Sequence, residues 1–309
     1  MDRVCVTGGA GFIGSHVVEA ALDAGAASVL VFDNFGLGRP EHLEKAQASG
    51  RVTVIEGDIR SAQDLRPVVD FAPDTVFHMA ALHFIPYCNA HPQEALDVNV
   101  LGLDTVIRAL RGVPLKTFVF PSSGATYGFG DEPWPETAAS KPDEIYGISK
   151  WMDEQVMERL HADRPEVRAV IARLFNTYGP RETNPHVLPE IMKCMAVGKP
   201  IELGNLWPKR DLIYVTDTAA GLVASASGDP GLEVFNIGTG TGTAIQDVLQ
   251  VIEDITGKQL DVRQVPGRMR DGDGHLISDP GKLMQATGWK PACDLQTGLR
   301  LLLESEGLV

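Results

Sequence analysis

The sequence predicts an α/β protein, a doubly wound parallel sheet followed by a smaller C-terminal lobe, on three observations. Short apolar runs alternate with helix-like stretches through the first 175 residues. A glycine-rich turn separates the first run from the first helical stretch. After about residue 175 the texture changes to shorter elements with denser Pro and Gly.

The elements follow in order. Strands are predicted at 2–7, 28–32, 51–56, 74–77, 116–120 and 167–172. They are nearly continuous in apolar residues, as strands buried on both faces are. Helices are predicted between them near 12–25, 61–71, 92–112 and 143–163, which makes βαβ units and a parallel sheet with helices on both faces. The second half predicts helices near 187–197, 216–226, 243–256 and 294–304 joined by loops, with Thr243 as N-cap of the third. Residues 1–175 form the expected first domain, with segments near 211–238 returning to it, and 176–309 the second lobe.

The first turn carries chemistry. Gly8, Gly11 and Gly14 lie between a strand and a helix, with Phe12 and Ile13 opening that helix. Such a turn lets a backbone approach a dinucleotide pyrophosphate, and the helix offers its unpaired N–H groups and positive dipole end. Asp33, nineteen residues after Gly14, ends the second apolar run. A carboxylate there accepts from ribose hydroxyls and repels a 2′-phosphate.

Composition narrows the function classes. The 309 residues can bury a large core, and 44% hydrophobic with 22% charged residues is ordinary for a soluble globular protein. A net charge of -14 argues against general binding to nucleic acid or anionic membranes. Cys5, Cys88, Cys194 and Cys293 form neither CxxC nor metal spacing, so reduced thiols in a cytoplasmic protein are expected. No apolar run reaches the roughly 18 residues of a membrane span, and no signal peptide is expected ahead of the first strand.

Tyr146 and Lys150 stand four residues apart at the start of a helix, on one face. An ammonium there is expected to lower the phenol's pKa, with an oxidised nicotinamide adding to that, so that the tyrosine acts as a general base on a sugar hydroxyl. Ser123, after the strand 116–120, supplies a hydroxyl for the same substrate oxygen, with Ser122 and Thr126 as competitors.

These motifs occur together in a fixed order: TGGAGFIG at 7–14, Asp33-Asn34, Gly57-Asp58-Ile59, His78 to Ala81, Asn99, SSGATYG at 122–128, YGISK at 146–150 and Arg173 to Pro180. In them the chain resembles the extended short-chain dehydrogenase/reductases, and more narrowly the NAD-dependent nucleotide-sugar epimerase/dehydratase family. The likeness continues to Asp279 to Lys282 and Gly288 to Pro291. It implies a Rossmann-like sheet with NAD as cofactor. It implies the pyrophosphate turn at Gly8, Gly11 and Gly14, ribose contacts from Asp33 and Asn34, and adenine contacts from Asp58 and Ile59. Met79, Ala80 and Ala81 would pass under the cofactor, with His83 and Asn99 near it. Ser123, Tyr146 and Lys150 would be the catalytic set, Tyr146 and Lys150 also touching the cofactor. Asn176, His186, Val187 and Ala125 would line the substrate site, and Arg210 and Arg270 would hold a nucleotide diphosphate as guanidinium forks.

Three departures narrow the expected reaction. Related 4,6-dehydratases carry Asp-Glu directly after the catalytic hydroxyl residue, and related decarboxylases a Glu at the second position; here Gly124 and Ala125 stand there. His83 occupies a place where 4-epimerases often have Lys or a small residue. The expectation is therefore a 4-epimerase acting on a nucleotide-diphosphate sugar, UDP-linked, of the UDP-glucose or UDP-glucuronate type. A 4-ketoreductase, dehydratase or decarboxylase of the same family is the alternative, and a non-catalytic NAD-binding regulator a more distant one. Arg181 is a candidate for a uronate carboxylate or a loop ion pair, and either Leu276 or Ile277 for the wall beside carbon 2 of the sugar. No metal is expected. A homodimer through helices 87–112 and 143–163 is expected, on the apolar positions Leu96, Val100, Leu103, Val106 and Leu110, which are equally suited to a core.

Overall fold

The computed structural model describes residues 1–269 and 274–309. The six predicted strands form as β1 (Arg3–Thr7), β2 (Ser28–Asp33), β3 (Val52–Glu56), β4 (Thr75–His78), β5 (Thr117–Ser123) and β6 (Arg168–Leu174). The second half adds β7 (Asn176–Tyr178), β8 (Ile201–Leu203), β9 (Lys209–Tyr214), β10 (Gly231–Ile237), β11 (Gly242–Ala244) and β12 (Val262–Gln264). A seven-stranded sheet has the order β10-β6-β5-β4-β1-β2-β3, and its pairs are all parallel. The order reverses between β1 and β4, which opens a crevice at their carboxyl ends. Thr7, the last residue of β1, lies opposite Phe32 of β2 and His78 of β4 at that crevice.

Alternate residues of each strand feed two cores. Val4, Val6, Val29, Val31, Phe77, Val119 and Val170 pack on one face against helices Phe12–Asp23 and Val215–Ser225. Cys5, Leu30, Phe32, Val76, Phe118, Phe120 and Ile171 pack on the other against Leu103, Val106, Leu110, Met157 and Leu160. Helices on both faces explain why the strands read as unbroken apolar runs. A third core, including Tyr178, Ile191, Tyr214, Val248, Ile252 and Leu299, lies under the second half. There β11-β9-β7 form a three-stranded sheet and β12-β8 a two-stranded one.

Several expectations are corrected. The helix predicted from 61 starts at Arg66. Ser61 donates to Asp64 Oδ1 at 2.9 Å and accepts from the Asp64 amide at 3.2 Å, a side-chain turn that takes the place of the first helical turn. The stretch 92–112 is helical throughout, as expected, but its pitch changes along the way: Pro92–Leu96 is α-helical, Asp97–Leu101 a π-helical turn, Gly102–Ala109 α-helical again and Leu110–Gly112 a short 3₁₀ turn. Thr243 is not an N-cap. It pairs with Arg210 in the antiparallel ladder of β11 and β9, and the helix starts at Ile245 with Ala244 before it. The strands β7, β8, β9, β11 and β12 stand where loops were expected: β7, β8, β11 and β12 have three residues each, too few to show a pattern, and β9 opens on the charged Lys209, Arg210 and Asp211 rather than on an apolar run. Of the five apolar positions named for a dimer face, Leu103, Val106 and Leu110 are core.

Candidate active site

The glycine turn is shaped by close contacts. Gly8 has φ of +65°, and a Cβ on it would meet the Ala80 amide nitrogen at 2.6 Å. A Cβ on Gly14 would run into the Gly8 carbonyl. Gly11 precedes helix Phe12–Asp23, which has no side-chain cap and no acidic residue in its first turn. Its leading N–H groups and dipole therefore have no acidic side chain of the helix's own first turn to answer them, which suits a pyrophosphate. Asp33 is 6% exposed and accepts from the Ala10 amide at 2.9 Å and the Phe35 amide at 2.8 Å. Burial raises its pKa, while those two amides work the other way. The carboxylate thus fastens the glycine turn to the end of β2 at the place where a ribose would sit. Asn34 turns inward on its own loop, accepting from the Gly36 amide at 3.0 Å.

The Asp58 carboxylate is bound to Arg60 at 2.6 Å, and that contact lowers its pKa. Its backbone, with buried Ile59, is what remains to face an adenine. The segment Met79 to Ala81 continues from β4; the Met79 amide donates to Thr7 O at 2.9 Å, so it runs beside the glycine turn. Asn99 sits in the π-helical turn, 2% exposed. Its Oδ1 accepts from the Leu82 amide at 2.8 Å, and its Nδ2 donates to Leu82 O at 3.0 Å and to Ser149 Oγ at 2.9 Å. Asn99 therefore ties the loop after β4 to the helix carrying Tyr146.

Ser123 and Tyr146 hydrogen-bond to each other at the carboxyl end of β5, and Lys150 follows Tyr146 by one turn of the same helix. Ser123 ends that strand, and its Oγ accepts from the Ala125 amide at 3.1 Å. Tyr146 and Lys150 lie in the first turns of helix Ile145–Asp163. Gly147, between them, lets that helix approach the Ser123 turn: a Cβ there would meet the Ala125 carbonyl at 2.8 Å. The competitors turn elsewhere. Ser122 donates to Glu154 Oε1 at 2.6 Å, and Thr126 to Ser123 O at 2.8 Å. Lys150 is 4% exposed, its ammonium 4.5 Å from the centre of the Phe120 ring.

The electrostatics correct one expectation. The Tyr146 phenol is pushed up to about 12, not towards neutrality. Burial is the main cause, the Ser123 hydrogen bond opposes it, and Cys88 and Asp153 add to it. Burial also lowers Lys150. Behind the triad, Glu154 forms a buried pair with Arg173 of β6 at 2.6 Å. Arg173 in turn lies 4.6 Å over the Tyr127 ring, whose hydroxyl donates to Asn236 Oδ1 at 2.8 Å. This network clamps the Tyr146 helix to β5, β6 and β10. The sequence showed Arg173 only as part of a motif; its partner Glu154, four residues after Lys150, was the signal to follow.

Opposite the triad stand residues of the second half. His83 Nε2 bonds to Asn184 Nδ2 at 3.0 Å, and its ring stacks 5.8 Å from that of His186. Burial lowers His83 to about 4, so the ring is neutral. His186 also meets Phe84 edge-on at 5.5 Å and precedes helix Val187–Val197. The donor atoms of His83, Glu182 and His186 lie within 4.8 Å of one another, but the Asn184 bond already takes His83 Nε2. Asn176 is exposed at the start of β7. Arg210, in β9, donates to Gly274 O at 2.6 Å and lies 4.8 Å from the centre of the Phe129 ring. Leu276 bridges to Arg210, and Ile277 packs against Gly242. Asp211, fully buried, accepts from the Ser278 and Gly240 amides at 3.1 and 3.0 Å and from the Thr239 amide at 2.7 Å, which fixes that wall. Arg181 pairs with Glu19 at 2.6 Å and donates to Ser15 Oγ at 3.1 Å, so the loop ion pair describes it. Arg270 lies outside the described residues.

Among known proteins, the family described as NAD dependent epimerase/dehydratase matches residues 4–238. A UDP-glucose 4-epimerase 3 from Oryza sativa subsp. japonica is 33% identical over 320 residues, covering 93% of this chain and 84% of that protein. The crystal structure of UDP-glucose 4-epimerase from Thermus thermophilus in complex with NAD superposes with a TM-score of 0.88 at 32% identity, covering 99% of each chain. That of UDP-glucuronic acid 4-epimerase from Bacillus cereus, in complex with UDP-glucuronic acid and NAD, gives 0.89 at 25% identity, again covering 99% of each.

Proposed function

The chain belongs to the NAD dependent epimerase/dehydratase family, and from that premise we propose that it is an NAD-dependent UDP-sugar 4-epimerase. The observation that carries the reading is the Ser123–Tyr146 hydrogen bond, with Lys150 one turn on in the same helix, and with Gly124 and Ala125 in place of a second acid–base pair. Such a set moves a proton at one hydroxyl and offers no group for eliminating water. The similarity to UDP-glucose and UDP-glucuronic acid 4-epimerases supports the substrate class.

The residues present fit NAD. The uncapped helix after Gly11 would receive the pyrophosphate and Asp33 the adenosine ribose, and Met79 to Ala81 would border the cofactor. NAD, when bound, supplies a reversible hydride acceptor beside carbon 4 of the sugar and a positive charge near the phenol. Tyr146 takes the proton of the 4-hydroxyl, and Ser123 hydrogen-bonds the same oxygen as its charge develops. Lys150 stabilises the phenolate, against the burial that keeps the isolated phenol protonated. The 4-keto sugar turns over in the pocket and Tyr146 returns the proton to the product hydroxyl. The walls around His186, Val187, Asn176 and Arg210 hold the nucleotide sugar.

Residues 1–175, with helix Val215–Ser225 and β10, are proposed as the NAD-binding domain, and the rest as the nucleotide-sugar lobe. We also propose a cytoplasmic homodimer. Its support is Leu101, Trp151 and Met152, which are 56%, 43% and 37% exposed on the two predicted helices.

The test is proton NMR of the protein with UDP-glucose, UDP-glucuronate and UDP-N-acetylglucosamine in separate tubes, with catalytic NAD and no reductant. A new anomeric signal of the 4-epimer in one tube establishes the activity and names the sugar. Steady change at 340 nm with substrate, and no epimer, supports net hydride transfer instead.

A further inference from the structure

We propose that Asp153 is a positioning residue for Lys150, a buried carboxylate that sets how strongly the ammonium acts on Tyr146. The inference rests on the epimerase reading for its kinetic part and on geometry for the rest. Asp153 is 0% exposed, and neither carboxylate oxygen has a hydrogen-bond partner among the described residues. A buried unpaired carboxylate is costly and calls for a reason. It follows Lys150 by three residues in helix Ile145–Asp163, so the two share a helix face, and Lys150 is itself 4% exposed.

The groups around the pair are few. Lys150 and Glu154 act on Asp153; Asp153, Cys88 and Glu154 act on Lys150; Ser123, Cys88 and Asp153 act on Tyr146. His78 of β4 and His83 both feel Lys150, and burial lowers them to about 3 and about 4, so they add no charge at neutral pH. The Glu154 charge is matched by Arg173. Asp153 is thus left as the acidic group whose charge Lys150 must answer. Burial raises Asp153 to about 7 and lowers Lys150.

An ionised Asp153 keeps the proton on Lys150 and also keeps the proton on Tyr146. Replacing it by a neutral isostere lets Lys150 lose its proton at lower pH. While Lys150 is still charged, its undiminished field lets Tyr146 ionise at lower pH too. Both limbs of the kcat/KM profile of Asp153→Asn are expected to move to lower pH, by roughly one unit each, as for a neighbouring charge.

The experiment has two arms on the NAD-loaded protein. Carbon-13 NMR of carboxyl-labelled aspartate should show one resonance titrating with a midpoint near neutrality that is missing in Asp153→Asn, or in Asp153→Ser if the first variant does not fold. This arm needs no turnover, and neither does the pH dependence of NAD affinity, whose high-pH fall should shift downward in the variant. An Asp153 that stays protonated across the working pH range overturns the proposal, because it then carries no charge to act on Lys150. So does a variant whose pH limbs stay in place while rate drops equally at every pH. Absence of turnover on every sugar, with the titration as expected, sinks the epimerase reading and leaves the Lys150–Asp153 coupling standing.

Discussion

Tyr146 is biased towards its protonated form, because burial outweighs the Ser123 hydrogen bond. Tyr146→Phe is expected to lower kcat by at least about 100-fold with NAD binding retained, measured by epimer formation and by titration with NAD. His78 is a second residue whose environment fixes its charge. It is 1% exposed, its Nδ1 lies 3.0 Å from Thr7 Oγ1, and burial lowers it from 6.5 to about 3. Between those values the unfolded chain binds the proton first, so the contribution of His78 to stability is present above pH 6.5 and is lost as pH falls towards 3. Asp153, raised by burial, acts in the opposite direction, so the comparison must isolate His78. Between roughly pH 7.5 and 5.5, urea unfolding of His78→Asn should lose about 1.4 kcal/mol less than the parent protein does.

The helix Ile145–Asp163 is held by charge as much as by apolar packing. Glu154 and Arg173 have side chains only 5% and 8% exposed, and Ser122 adds a third bond. Removing one partner leaves the other buried and uncompensated. Glu154→Ala is therefore expected to cost about 3–5 kcal/mol in denaturant unfolding, and Arg173→Ala a similar amount. The double variant should cost clearly less than their sum. The glycine turn depends on space. Gly8→Ala places a Cβ on the Ala80 backbone at a φ of +65°, so NAD binding should be lost along with thermal stability. Gly25 has φ of +92° and nothing near its missing Cβ, so Gly25→Ala serves as a control for strain alone, with NAD binding kept.

At the scale of the molecule, the crevice is closed by bonds between distant parts of the chain. Arg181 reaches Glu19 and Ser15, and Asn184 reaches His83. These contacts join the second half to the helix that follows the glycine turn and to the loop after β4. Leu101, Trp151 and Met152 are exposed apolar residues, whereas Met157 and Leu160, further along the helix that carries Trp151, are core. Sedimentation should give twice the 33.3 kDa of one chain, and Trp151→Glu should return the single-chain mass with the fold intact. A parent protein that sediments as one chain sinks the dimer proposal.

The sequence by itself determined the seven-strand sheet's first six members, the glycine turn, Asp33 and the spacing of Tyr146 and Lys150. These are local: an apolar run, a turn and a helix period each lie within a few consecutive residues, and the motif order is a property of the chain alone. The strands β7, β8, β11 and β12 were illegible because three residues carry too little pattern to compete with loop chemistry, and β9 because charged Lys209, Arg210 and Asp211 open it. The π-helical turn around Asn99 was hidden for a related reason, since its apolar spacing reads as plain helix. Only the tertiary structure decided that Arg181 is spent on Glu19, that His83 faces Asn184 and that Leu103 is core. It also decided the charge states. The i, i+4 spacing of Tyr146 and Lys150 suggested a lowered phenol pKa, whereas desolvation raises it, and the sequence holds no record of which groups lose their water when the helix closes on β5.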